Sequence, residues 1–181
     1  MDWMHCLSLG VFCFLLGHFL HELIAKDAWR IRCGTKQVFE LSIVRIRSGI
    51  FDWYDAEEKA GRNHSRLQAL TVQMLGPTKA PFLKLDAGET NGFLRYAHGV
   101  LLPQFGAKLG GRAKPYKLAL DSCVTLLDIC WPHKRQIPPD QVQRFCDAAV
   151  QHLQTLEDLG PSQRPKHHQT MELGARLSVH I

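Results

Sequence analysis

The sequence predicts a mainly α-helical, irregular multi-helix domain of six or seven helices, with at most one or two short strands near the N-terminus. Three observations predict it. Apolar residues recur at three- and four-residue steps over residues 38–60, 115–131 and 138–159, the spacing that lines one face of a helix. Glycine and proline close each of these segments. No fixed-period repeat and no low-complexity tract interrupts the pattern. A 181-residue chain that is 45% hydrophobic and 22% charged buries enough apolar surface to fold, which excludes a disordered polyelectrolyte. Six cysteines in that length are too few for a disulfide-built scaffold.

Residues 6–25 are the most apolar stretch. His18, Glu22 and Lys26 form a polar stripe at i, i+4, i+8, opposite Phe12, Leu16, Phe19, Leu20 and Leu23. The stripe predicts a buried amphipathic helix; a lipid-facing span would carry those groups at a cost of about 2–3 kcal/mol each. Hydropathy alone gives the alternative, a membrane segment.

Between residues 38 and 60, Phe39, Ile43, Ile46, Ile50 and Trp53 form a helical stripe, with Gly49 a point of bending. The β-branched run Ile43–Ile46 gives a short strand as the competing reading. A short helix is expected over residues 65–75, with Leu67, Leu70 and Met74 inward, stopped by Gly76-Pro77. Asp86 and Glu89 have the spacing of a capping box and open a helix to about Leu102, before Pro103. Gly106, Gly110 and Gly111 read as a loose basic loop. The helix over 115–131 has Pro115 in its tolerant first turn and Pro132 at its end. The helix from Pro138-Pro139 to Leu159 buries Val142, Phe145, Cys146, Ala149, Leu153 and Leu156 and stops at Gly160-Pro161. A last, weakly patterned helix is expected over residues 166–179.

The charge balance is +5, and the cations cluster: Lys108, Arg112, Lys114 and Lys117; Lys134 and Arg135; Arg164, Lys166, His167 and His168. Such clusters suit phosphate contacts with nucleic acid, or are solvated loops between helices. Cys6, Cys13, Cys33, Cys123, Cys130 and Cys146 make no Cys-x-x-Cys pair, which removes the usual zinc signature. Cys123 and Cys130 lie on one apolar helical face and read as core thiols of a reducing compartment. Trp53-Tyr54 reads as core. The Gly-x-Ser-x-Gly elbow and the phosphate-loop ending Gly-Lys-Ser/Thr are both missing. Asp2-Trp3-Met4-His5 places a carboxylate and an imidazole three apart, a pair suited to a divalent metal or to proton transfer.

Asp2-Trp3-Met4-His5-Cys6-Leu7-Ser8-Leu9-Gly10 resembles the Asp-x-Met-His-x-x-x-Leu-Gly segment around the second catalytic aspartate of transposon-encoded, RNase H-like transposases of the Asp-Asp-Glu type. Leu83-Lys84-Leu85-Asp86-Ala87-Gly88-Glu89-Thr90 is similar to the Leu-Lys-x-x-Ala-x-Glu opening of a helix in the region that follows. Arg164-Pro165-Lys166-His167-His168 is similar to a Pro-Lys-His-His segment later in that region. The three occur in order across nearly the whole chain. Two departures stand out. Lys84-Leu85-Asp86 replaces a run into two alanines, and Gly88 weakens the helix start by up to about 1 kcal/mol.

The resemblance implies that residues 1–34 hold the Asp-x-x-His segment and its apolar helix, and that residues 35–181 are a helical insertion-like domain. It makes Asp2 a metal ligand and His5 its supporting histidine, with Mg²⁺ held only in an intact transposase carrying all three carboxylates. The first aspartate would lie upstream of Met1 and the glutamate beyond Ile181. The expected function is therefore a transposase-derived helical fragment without its own catalysis, holding no cofactor, associated with DNA through the basic clusters, in the nucleus or cytoplasm. The alternatives are a protein-interaction module using its apolar helices, and a membrane-anchored protein using residues 6–25.

Overall fold

The computed structural model describes residues 7–132 and 137–160. The fold is mainly α-helical, and among the described residues there is no strand. A π-helical turn, Leu7–Phe12, leads into α1 (Cys13–Ala25). Then come α2 (Thr35–Lys59), α3 (Ala87–Tyr96), the single turn α4 (Leu102–Phe105), α5 (Ala113–Cys130) and α6 (Pro139–Leu159).

The apolar helix α1 is the central post. Leu15, Leu16, Phe19, Leu20 and Leu23 are all 0% exposed, and each such side chain contributes about 1.5–3 kcal/mol on burial. Over Leu7–Ala25 the mean hydropathy is 1.7, and 83% of this apolar window is buried by the rest of the chain. By length and composition the segment could cross a membrane. The polar stripe serves packing as well: Glu22 accepts a hydrogen bond from the Tyr116 hydroxyl (2.9 Å) and lies 3.3 Å from the Arg112 guanidinium. His21, on a neighbouring face, donates from Nε2 to the carbonyls of Leu75 (3.3 Å) and Gly76 (3.2 Å).

Helix α2 buries Ile43, Ile46 and Ile50 at helical spacing, which excludes the strand reading of Ile43–Ile46. It runs through Gly49 without a break. The Tyr96 hydroxyl sits against the bare Gly49 backbone, in the space a side chain would occupy.

Three expectations are corrected. Residues 65–71 are irregular, and only Val72–Leu75 makes a 3₁₀ turn. Leu67 and Leu70 still point inward, but the Gln68 amide donates to the Glu89 carboxylate (3.3 Å) instead of to a helical carbonyl; tertiary contacts override a weak local preference. The chain after α3 does not stop at Pro103. It widens to a π turn over Ala97–Leu101 and continues helically to Phe105. Proline has no amide to give to the carbonyl four residues back and its ring crowds that carbonyl, and a π turn relaxes both constraints. The expected loose loop is 3₁₀-helical over Gly106–Arg112, pinned by buried Leu109, with the one reversal at Gly110 (φ 58°, ψ −130°).

Helices α5 and α6 form an antiparallel hairpin. The Arg112 guanidinium donates to the Leu159 carbonyl (2.5 Å), the Ser122 hydroxyl pairs with the Gln151 side chain (3.0 Å), and Cys123 Sγ meets His152 Nδ1 (3.4 Å). Pro139 opens α6 in its tolerant first turn. Gly160 ends it in the left-handed conformation (φ 72°), with its amide on the Leu156 and Glu157 carbonyls. One continuous core runs from Leu7 to Leu159.

Candidate functional site

Asp2 and His5 lie outside the described residues, as do Lys134, Arg135, Arg164, Lys166, His167 and His168 and the helix expected over 166–179. Cys13, three residues beyond the first motif segment, joins it to the second: its Sγ donates to the Ser8 carbonyl (3.1 Å). The Leu83 amide donates to the Cys13 carbonyl across 2.9 Å, at the point where the π repeat gives way to the α repeat of α1. Cys13 Sγ lies 3.4 Å from Thr90 Oγ1. At the start of α3 the capping box forms as the sequence predicts. Asp86 Oδ1 accepts from the Glu89 amide (2.7 Å), and Glu89 Oε2 accepts from the Asp86 amide (3.1 Å).

The described basic cluster divides in two. Arg112 is engaged by Glu22, the Leu159 carbonyl and the Tyr116 ring, whose centroid is 5.8 Å from the guanidinium carbon. Lys117 pairs with Asp121 at 2.6 Å. Lys108 and Lys114 are exposed. The loop and first turn that carry them therefore present two solvent-facing cations, with two more held by the fold.

A polar, aromatic cleft of about 490 Å³ lies between the end of α2, α3 and α5. Gly61 (φ 77°) creates it. Its amide donates to the Glu58 carbonyl (2.9 Å) and the Arg62 amide to the Glu57 carbonyl (2.9 Å), a Schellman closure. The chain is thereby returned against the last turns of α2. Arg62 then binds the Glu57 carboxylate through Nη2 (2.5 Å) and Nε (2.7 Å), and His64 Nε2 lies 3.1 Å from the same carboxylate. The hydrogen bonds from Arg62, helped by His64, hold the Glu57 carboxyl down at about 2. The His64 ring stacks on Trp53 at 4.7 Å and 29°.

The far wall comes from α3 and α5. Arg95 donates to Asn91 Oδ1 (3.2 Å) and to Asp128 (2.5 Å), and His98 Nε2 lies 2.7 Å from Asp121. Burial pushes the Asp121 carboxyl up, but hydrogen bonds from Lys117 and His98 outweigh it and hold it below the usual carboxylate range. Trp131, at the end of α5, completes the lining.

Compared with known protein families, curated proteins and solved structures, the chain matches none.

Among the described residues, no group of three or more His, Cys, Asp or Glu side chains is placed to hold a metal ion. The cleft's chemistry is hydrogen-bond donation beside π faces. Trp53 belongs to it: Tyr54 is core at 2% exposure, but Trp53 is half-buried and faces the cleft. One signal for this site lies in the sequence. Trp53 and Glu57 are i, i+4 on α2, as Asn91 and Arg95 are on α3, so each pair shares a helical face.

Proposed function

We propose that this chain is the helical part of a transposon-encoded Asp-Asp-Glu transposase, a DNA-associated domain without strand cleavage of its own. The observation that supports this reading is the contact between the second motif segment and the apolar helix that follows the first, with Leu83 bonded to Cys13, seventy residues away in sequence, and Thr90 beside it. In the resemblance the apolar helix follows the segment of the second aspartate, and Leu83–Thr90 is the helix opening in the region after it. Lys108 and Lys114, exposed on the surface, are the phosphate contacts of this reading. Asp2 is the one catalytic carboxylate that the resemblance assigns, and Mg²⁺ would be held only by the complete set. Nuclear or cytoplasmic residence goes with this reading, and the 83% burial of the apolar window in Leu7–Ala25 supports it over membrane anchoring.

The test is duplex DNA binding by fluorescence anisotropy between about 50 and 200 mM salt, a range over which phosphate-driven affinity falls steeply. The expected result is a fall with salt whose slope drops by about 1 for each of Lys108→Ala and Lys114→Ala. Affinity that does not respond to salt overturns the reading. A second reading, a protein-interaction module, is favoured by Leu41 (47% exposed) and Val44 (60%), adjacent apolar side chains on the outer face of α2.

A further inference from the structure

The geometry points to a ligand for the cleft between α2, α3 and α5: a planar heteroaromatic ring carrying an anionic group, the chemistry of a mononucleotide.

The argument starts from the balance of donors and acceptors. A guanidinium has five N–H donors. Arg62 engages Glu57 through two of its nitrogens, and Arg95 engages Asn91 and Asp128 through two of its own. Both retain N–H groups without an acceptor among the described residues. The carboxylates are already taken: Glu57 by Arg62 and His64, Asp128 by Arg95, and Asp121 by Lys117 and His98. The cleft thus has guanidinium N–H donors to spare, while the carboxylates at its walls are already paired with cations. A donor-rich wall selects a ligand rich in oxygen acceptors, and planar guanidinium forks match phosphate and carboxylate groups.

The remaining walls select the rest of the ligand. The Trp53–His64 stack and Trp131 bring indole and imidazole surfaces to the same space. Aromatic faces hold bases by stacking without regard to sequence. A volume of about 490 Å³ falls in the range of small-ligand sites, which are about 300–1,000 Å³. The His64 ring is preset, because the bond to Glu57 fixes it and the Gly61 reversal fixes the loop that carries it. Little ordering is left to oppose binding.

The chemistry is shared by a free nucleotide and by an unpaired nucleotide of a nucleic acid strand, and the experiment separates them. Deoxyadenosine monophosphate is titrated into the full chain and followed by calorimetry and tryptophan fluorescence. Deoxyadenosine and inorganic phosphate are titrated separately. The expected result is saturable binding of the nucleotide, at least about tenfold tighter than of either half alone. Arg62→Gln and Trp131→Phe should each weaken it by about fivefold or more while the melting temperature stays within a few degrees. A short single strand that displaces the nucleotide identifies an unpaired base as the source. A strand that does not displace it identifies a free nucleotide, and either result supports the ligand chemistry. No saturable nucleotide binding, or equal binding by the wild-type chain and both variants, overturns the inference. Salt-sensitive duplex binding that persists beside such a failure leaves the DNA reading standing. Nucleotide binding without duplex binding does the reverse.

Discussion

Gly17 and Phe82 meet backbone to backbone: a β-carbon placed on Gly17 would stand 2.6 Å from the Phe82 amide nitrogen and 2.7 Å from its α-carbon. Gly17 lies one turn beyond Cys13 on α1, so the bare backbone there is what lets Leu83 reach the Cys13 carbonyl. Gly17→Ala forces two pieces of main chain apart, and neither has a flexible side chain that can yield. The expected loss is about 1–3 kcal/mol, read from the midpoint of urea unfolding.

Gly99 gives the opposite sign. It lies in the helical run, is exposed, and an added β-carbon would meet nothing within 4 Å. Gly99→Ala should raise stability by about 0.4–1 kcal/mol, because it restricts the unfolded chain without straining the folded one. The same urea titration run on both variants tests whether the cost at Gly17 comes from the close approach or from glycine replacement in general.

Asp86→Ala removes an acceptor from the Glu89 amide and one half of the capping box. The expected cost is about 0.5–2 kcal/mol. Asp86→Asn, which keeps an acceptor oxygen, should recover most of it. Thermal unfolding of the pair of variants decides the point.

The Glu57 carboxyl is held near 2 in the folded chain, against an ordinary value of 4.5. A group lowered on folding stabilises the fold at pH values above its unfolded value, and that contribution is lost as the pH falls through the folded one. Stability should therefore decline between pH 4.5 and about 2 through this residue. Glu57→Gln should flatten that part of the pH profile, measured by urea unfolding across the acid range.

Thiol reactivity should follow burial. Cys33 is exposed, whereas Cys123 and Cys130 are buried. Burial raises the Cys123 thiol well above its ordinary value and the Cys130 thiol to about 12. The thiolate is the reactive form. Iodoacetamide at neutral pH should modify Cys33 rapidly and leave Cys123 and Cys130 unmodified until the chain is unfolded, as mapped by peptide mass spectrometry.

The helices were legible where apolar periodicity and end signals agreed. The stripe through Ile43, Ile46 and Ile50, the Asp86–Glu89 box and the Gly160 stop needed only local rules. The path through Pro103 was not legible, because the widening that admits it depends on packing around Ala97–Leu101. The segment around Gln68 was misread because its amide is satisfied by Glu89, a partner twenty-one residues away. The cleft was hidden for the same reason. Its pairs Trp53–Glu57 and Asn91–Arg95 are local, but their convergence is set by the Gly61 reversal and the crossing of three helices. The basic residues were visible as a run. Arg112 belongs to the scaffold only through Glu22 and Leu159, far from it in the chain.

The burial of α1 has a consequence for the order of synthesis. The most apolar helix leaves the ribosome early among the described elements, and its coverings Leu83 and Tyr116 follow much later in the chain. Until they arrive, this surface has no native partner. The nascent chain is then exposed to aggregation and to capture by chaperones, and slow passage through residues 26–116 lengthens that interval.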